Sequence, residues 1–355
     1  MMYNRIMKNK HLFKKGKNIM NRNTKLISCA AAMVLTISAG ISASAFSDMP
    51  EGEMGQALQN AVDAKLIEGI DNDHIAPYDS ITRAQMATII TRAFSATEKA
   101  TSKFNDVSDG AWYADSVSKA VAMGAFEGDD NNNFRPENNI TFQETYLVLS
   151  RIFGFQPYLT TSGVMVGDCG AEVLDKFADK DSIDSWAVDG ARYIVGNGGW
   201  TGIDSKLKPK DNITRGEFAV LMDAIVDMYI DEPGTYSELT DGLIMVRSGD
   251  VTIDGLKSNH NLILTYGIDE KGCTVKNSTV NGVTLVLGGI DLTPAEIESS
   301  NGTKRFTPDD AYISLNGNFY DVRISTPYVF VDASDSNVEY VWGVKHARIS
   351  LSSNT

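Results

Sequence analysis

One six-residue phrase is written three times in this chain: ITRAQM from Ile81 to Met86, ITFQET from Ile140 to Thr145, and ITRGEF from Ile213 to Phe218. Recurrence at a long period constrains the fold more than any other feature, because it means one supersecondary unit repeated and packed on itself. Each copy extends well upstream of the phrase. Phe46-Ser47-Asp48, Phe104-Asn105-Asp106 and Phe177-Ala178-Asp179 stand 35 or 36 residues ahead of the isoleucines, and Pro77, Pro136 and Pro209 stand four residues ahead. The period is 59 residues between the first two copies. It is 73 between the last two, where GFQPYLTTSGVMVGDCGAEVLDK intervenes. Repeats are therefore expected over 46–95, 104–155 and 177–230, with an insertion over 156–176.

Each repeat reads as helix, loop, helix. In the second helix the positions i, i+3, i+4 and i+7 are Met86, Ile89, Ile90 and Ala93, then Thr145, Val148, Leu149 and Ile152, then Phe218, Leu221, Met222 and Ile225. Eleven of these twelve are apolar, which predicts a stripe facing a shared core. The first helix carries WYADSVSKAVAMGAF or WAVDGARYIVGNGGW, with Gly69, Gly124, Gly128, Gly198 and Gly202 as breaks. A lone pair of helices buries too little to stand alone, so the three units are expected to pack together.

The phrase itself parses as a helix start. Thr82-x-x-Gln85, Thr141-x-x-Glu144 and Thr214-x-x-Glu217 are capping boxes, in which the Thr hydroxyl takes the N3 amide and the N3 side chain returns to the N-cap amide. Arg83 and Arg215 then fall at N1, where the helix dipole favours an acid or proline. Two readings follow. Either an anion sits between the arginine and free backbone amides, or the arginine snorkels or pairs with a nearby Asp.

Charge is distributed unevenly. The first 45 residues hold eight Lys/Arg and no Asp or Glu, leaving 24 basic against 46 acidic residues, or −22, in the remainder. That balance excludes nucleic acid and anionic membranes as partners held by global charge. The basic segment precedes the 16-residue apolar run Leu26 to Ile41 and the small-x-small site Ala43-Ser44-Ala45. A secretory signal peptide over 1–45 is expected, cleaved to leave Phe46 first; the run is short for a membrane span. Met20 offers an alternative start and Cys29 an alternative lipidation site. After cleavage Cys169 and Cys273 remain, far apart, and are expected as free thiols; no cysteine–histidine spacing suggests a metal site. DDNNN at Asp129 to Asn133 lacks the ligand spacing of a calcium loop.

Beyond a linker expected over 231–241, composition changes. DVTIDGL, NLILTYG, CTVKNSTVNGVTLVLGG, AYISLNG, FYDVRIS and PYVFVDA alternate apolar and polar residues between Gly, Asn and Asp turns, so 242–355 reads as an all-β domain. Period alone leaves a small β-sandwich and a β-helix both open. Acids there are scattered as Asp250, Asp254, Asp269 and Glu270, and His260 and His346 lack motif context, so no catalytic residue is assigned.

The succession F-x-D, W, an alanine-rich helix, G, F-x-P and I-T-R-A-E resembles the S-layer homology repeat, carried here by FNDVSDGAWYADSVSKAVAMGAFEGDDNNNFRPENNITFQE and by ITRAQ and ITRGE. The resemblance implies an α + β multidomain chain: a pseudo-threefold helical bundle followed by the β domain, whose STVNGVTLVLGG and ISLNGNFYDVRIS resemble the right-handed β-helix rungs that often follow such repeats in Firmicutes surface proteins. It further implies anchoring of an exported protein at the cell wall, within or beside a surface layer. The partner would be secondary cell-wall polysaccharide bearing acidic pyruvate ketals, with no cofactor and no metal. Carried over by residue, the groove would use Arg83 and Arg215, the box residues Thr82, Gln85, Thr214 and Glu217, and Trp112 and Trp186 as sugar-facing aromatics; the alternative for both tryptophans is the core. Phe142 replaces the middle arginine, Gln85 replaces the first glutamate, and Glu53 and Met54 stand where the first tryptophan would be. A wall-anchored polysaccharide-processing enzyme with its activity in the β domain is the alternative to a non-catalytic surface protein.

Overall fold

A computed structural model describes residues 46–101, 103–160, 163–288, 313–327, 329–344 and 347–352; the expected leader, Cys29 and His346 lie outside them. The isoleucine that opens each phrase sits on the axis of the bundle. Ile81 N–H donates to the Ile213 carbonyl, Ile213 N–H to Ile140, and Ile140 N–H to Ile81, at 3.0, 3.0 and 2.9 Å. All three side chains are fully buried. Three similar local sequences thus close a head-to-tail ring of backbone hydrogen bonds, which makes the bundle pseudo-threefold.

Around this ring stand α1 (Gly52–Asp63), α2 (Arg83–Ala93), α3 (Ala114–Ala122), α4 (Phe142–Ile152), α5 (Val188–Gly196) and α6 (Arg215–Ile225). The second helix of one repeat packs against the first helix of the next: α2 on α3, α4 on α5, and α6 back on α1. All twelve stripe positions are buried. The one polar member, Thr145, is satisfied locally, because its hydroxyl donates to the Thr141 carbonyl at 2.9 Å. Each large apolar side chain so buried contributes roughly 1.5–3 kcal/mol before conformational entropy is counted.

The F-x-D element has two jobs that spacing did not reveal. Its phenylalanine packs against a glycine of the loop: a Cβ on Gly69, Gly128 or Gly202 would stand 2.5, 2.6 or 2.9 Å from the ring of Phe46, Phe104 or Phe177. Its aspartate takes two loop amides, Asp48 from Ile75 and Ala76, Asp106 from Phe134 and Arg135, Asp179 from Leu207 and Lys208. The second residue of each pair has positive φ (52°, 58° and 50°), a conformation non-glycine residues adopt at a cost that the carboxylate offsets. Burial works to raise the Asp48 carboxyl, but the Ile75 and Ala76 amides outweigh it and hold it below the usual range.

All three capping boxes form as expected. In the middle one, Thr141 Oγ1 accepts from Glu144 N–H while Glu144 Oε2 accepts from Thr141 N–H at 2.8 Å. Thr141→Ala is expected to lower stability by about 1 kcal/mol, and Thr141→Ser to retain most of it, in urea or thermal unfolding.

The insertion is folded. It forms a hairpin of β1 (Tyr158–Leu159) and β2 (Met165–Val166), followed by a 3-10 turn at Ala171–Leu174. Asn197 ties it to the end of α5 by donating to the Phe155 and Gly167 carbonyls.

The β domain starts earlier than its composition suggested, which corrects both the 177–230 repeat boundary and the 231–241 linker. β3 (Met228–Ile230) and β4 (Gly234–Tyr236) follow α6 directly and precede β5 (Ile244–Val246), β6 (Val251–Asp254), β7 (Lys257–Ser258), β8 (Leu262–Leu264), β9 (Cys273–Val286), β10 (Ile313–Ile324), β11 (Phe330–Gly343) and β12 (Arg348–Leu351). The Pro-Gly segment is the first corner of the domain, held where Arg247 grips Asp231 through two 2.6 Å contacts and Tyr236 is buried.

Among the described residues every pairing in this domain is parallel, which selects the helix-like solenoid over the sandwich. Three faces stack in register. Ile244, Leu262, Thr284, Val322 and Val341 form one; Val251, Cys273, Ile313, Val331 and Ile349 another; Lys257, Thr279, Asn318 and Asn337 the third. The corner after β6 uses Gly255 (φ 84°) and, one rung on, Asn277 (φ 53°), residues that tolerate the left-handed region.

Alternate residues on the first face point outward. Tyr229, Met245, Ile263 and Leu285 pack into the bundle core, and Arg247 Nη2 donates to the Ala64 carbonyl at 2.7 Å. Bundle and solenoid thus share one apolar interface, while a second core fills the solenoid itself. Cys169 is half-buried and Cys273 buried, both as free thiols.

Candidate functional site: the inter-repeat grooves

Each second helix begins against the loop of the next repeat, so the ring creates three equivalent grooves. The N1 and N2 amides are taken in all of them. Arg83 and Ala84 donate to Asn138 and Pro136, Phe142 and Gln143 to Asp211 and Pro209, and Arg215 and Gly216 to Asp79 and Pro77. With the N3 amide on the Thr cap, the free amides expected beside the arginines are not free. That premise is corrected: loop carbonyls, not an anion, satisfy the helix starts.

The arginines use the same loops. Arg83 Nε donates to the Phe134 carbonyl at 2.8 Å, its guanidinium lies 5.1 Å from the Phe126 and Phe134 ring centroids, and Nη1 stands 3.3 Å from Glu144 Oε1. Burial disfavours the Arg83 charge and Glu144 acts against that effect. Arg215 Nε donates to the Ile75 carbonyl at 2.7 Å and Nη2 to the Glu68 carbonyl. Here Gln85 occupies the place of the paired glutamate, and among the described residues Arg215 has no carboxylate in ion-pair contact. Arg83 Nη2 and Arg215 Nη1 have no hydrogen-bond partner among the described residues.

The middle groove is built differently. Phe142 is buried, and one turn on Tyr146 replaces the alanine of the other two helices, Ala87 and Ala219. Tyr146 Oη donates to the Leu207 carbonyl at 2.6 Å, the counterpart of the Phe134 and Ile75 carbonyls, and accepts from Trp200 Nε1 at 3.2 Å. A neutral hydroxyl therefore does the bonding that a guanidinium does elsewhere. The cation moves to the loop, where Lys208 Nζ meets Glu217 Oε1 at 2.9 Å.

Trp112 and Trp186 are 65% and 51% exposed, which rules out the core reading for both. Trp112 stands just before α3 and Trp186 just before α5, so both are available to a ligand. Beside Trp186, the Asp184 carboxyl is held below its usual range by Lys210 first, then by Gln143, whose Nε2 donates at 2.8 Å. Gln143, Asp184 and Lys210 carried no motif; only the ring closure brings them together.

Residues 45–87, 103–145 and 176–219 match the S-layer homology domain. Each repeat is an S-layer homology domain. The chain is similar to the Surface-layer 125 kDa protein of Lysinibacillus sphaericus, 30% identical over 216 residues, which cover 58% of this chain and 17% of that protein. It is 25% identical over 247 residues to the S-layer protein of Bacillus licheniformis, covering 64% of this chain and 27% of that protein. It is also 27% identical over 188 residues to the Amylopullulanase of Thermoanaerobacterium thermosulfurigenes, covering 51% and 9%. The chain thus spans less than a third of each of these relatives. Among the described residues no helix is long and apolar enough to cross a membrane, and no His/Cys/Asp/Glu group is disposed to hold a metal ion. Asp129 of DDNNN closes its own loop, accepting from the Asn131 and Asn133 amides and pairing with Arg135.

Proposed function

We propose that this chain is a non-catalytic anchor that holds an exported surface protein on acidic cell-wall polysaccharide through its S-layer homology grooves, with the solenoid as a display or spacer module. The observation that carries the reading is the closed ring of three such domains, which leaves two arginine-lined grooves and two exposed tryptophans on one bundle. An arginine bonded to loop carbonyls through one side of its fork keeps remaining N–H groups for a carboxylate such as a ketal, in a bundle whose surroundings are otherwise acidic. The Phe142 groove lacks that fork and is assigned little of the binding. In the solenoid, Asp254 is engaged by Lys276 and Asn277, and Asp269 caps the Lys271 amide, which supports structural roles for these acids.

The test is retention of the full chain on purified wall sacculi, with and without stripping of the polymer. Arg83→Ala/Arg215→Ala is expected to lower retention by about a hundredfold, since each charge-assisted contact is worth roughly 1.5–3 kcal/mol. Because the arginines also join the repeats, Trp112→Ala/Trp186→Ala provides a second measurement at exposed positions, expected to lower retention by about tenfold, or roughly 1.4 kcal/mol. Full retention by both folded variants, or retention unaffected by polymer stripping, overturns the reading. Turnover of wall polysaccharide by the folded chain would favour the processing enzyme instead, and relatives similar over the repeats include one named Amylopullulanase.

A further inference from the structure

A crevice of about 290 Å³ opens where the C-terminal end of α4, the insertion and the solenoid meet. Its floor is Leu285 and Leu287, its rings are Tyr158, Tyr266 and Trp342, and Arg151 stands at its wall. The outward ladder of the solenoid explains why a hole exists there. Met245, Ile263 and Leu285 are covered by the bundle; the next rung carries Arg323, held by Asp321 and by the Gly154 and Gln156 carbonyls; the rung after it carries Trp342, 39% exposed. The cover runs out one rung before the ladder does, leaving an indole at the mouth.

Two features of the wall point to a ligand rather than a packing gap. The Tyr266 phenol lines the crevice, where burial first and the Glu98 charge second push it up to about 12. Among the described residues the Arg151 side chain is held by a 3.4 Å contact to the largely solvated Glu127, a pair weak enough to exchange for a ligand oxygen. Arg323, by contrast, is tied through Nε to Asp321 and through Nη1 to the Gly154 and Gln156 carbonyls and acts as fixed wall. An exposed indole, an apolar floor, an arginine fork and a phenol hydroxyl together match a pyranose, whose C–H face stacks on rings while its edge hydroxyls need donors and acceptors. The volume lies near the small end of ligand pockets, roughly 300–1,000 Å³, which suits one or two rings.

We propose that this crevice binds a sugar ring stacked on Trp342, with its polar edge on Arg151 and the Tyr266 hydroxyl. The site is separate from the grooves: it adjoins the C-terminal end of α4, whereas the grooves lie at helix N-termini, about 16 Å away along an 11-residue helix. It does not depend on the anchoring reading.

The test is saturation-transfer NMR and tryptophan fluorescence on the full chain, with cellobiose, maltose, the N-acetylglucosamine disaccharide and glucuronic acid as soluble probes, and polymer released from wall sacculi in parallel. Saturable binding is expected with at least one probe, at about millimolar affinity or better. For the soluble probes it should weaken tenfold or more in Trp342→Ala and in Arg151→Ala; the released polymer, which the grooves also take, is measured in the Trp112→Ala/Trp186→Ala background, where adding Trp342→Ala should weaken it further. Binding of released polymer only, lost with Trp342→Ala in that background, assigns the crevice to wall glycan, and binding of soluble disaccharides only assigns it to free sugars. Absence of saturable binding by every probe, or binding unaltered in folded Trp342→Ala, overturns the proposal.

Discussion

Arg323→Met is expected to lower the unfolding free energy by about 3–5 kcal/mol, the cost of leaving a buried charge uncompensated. Asp321 and Arg323 are 1% and 6% exposed, and Arg323 Nε donates to Asp321 Oδ2 at 2.9 Å. The same guanidinium donates to the carbonyls of Gly154 and Gln156 at 2.8 and 2.6 Å and lies over the Tyr158 ring, while Tyr158 Oη donates to Asp321 Oδ1 at 3.1 Å. One side chain therefore clasps the insertion to the solenoid. Without it, Asp321 keeps only the phenol, and two carbonyls lose their donor. Urea unfolding should show the loss, and limited proteolysis should show earlier cutting within 156–176. The double variant Asp321→Leu/Arg323→Met should recover most of the loss, because apolar replacement of a whole buried pair is commonly near neutral.

The same variant has a pH signature. Burial, partly opposed by Arg323, already raises the Asp321 carboxyl above its ordinary range. Removing the arginine raises it further, so between the unfolded value of about 3.9 and the folded one the native state binds the extra proton. Stability then falls as pH rises through that window. The deficit of Arg323→Met should be largest near neutrality and shrink on acidification toward pH about 4.

Phe142→Ala is expected to cost about 3–5 kcal/mol, as large-to-small changes of buried aromatics do. Phe142 is 1% exposed, its ring 6.0 Å from that of the fully buried Tyr146, with Trp200 beside the Tyr146 hydroxyl. Phe142→Arg installs the residue of the other two repeats, yet it is expected to be at least as damaging. The Leu207 carbonyl that would receive the guanidinium is held by Tyr146, and the space that Ala87 or Ala219 leaves elsewhere is filled by the tyrosine ring. Phe142→Arg/Tyr146→Ala should therefore be more stable than the sum of its single changes predicts, a coupling that a double-mutant cycle in thermal unfolding measures directly.

The features readable from the chain alone lie within one or two helical turns or strand steps. The capping boxes, the apolar stripes, the repeat boundaries at F-x-D and the alternating strands were legible because each depends on spacings of three, four or two residues. Even the exception at Thr145 is a four-residue matter. Tertiary structure decided everything that depends on closing the ring. Which carbonyl an arginine reaches is settled across 51 residues for Arg83 and 140 for Arg215. The loop carbonyls that use up the N1 and N2 amides come from a neighbouring repeat, so the phrase alone made those amides look free. Tyr146 standing in for a guanidinium, Trp112 and Trp186 facing water, the insertion acting as a clasp and the Pro-Gly segment serving as a first rung carry no local signature. Each follows from which surfaces remain after three similar units and a solenoid have buried their apolar faces against one another, and that remainder belongs to the packed assembly, not to any short stretch of chain.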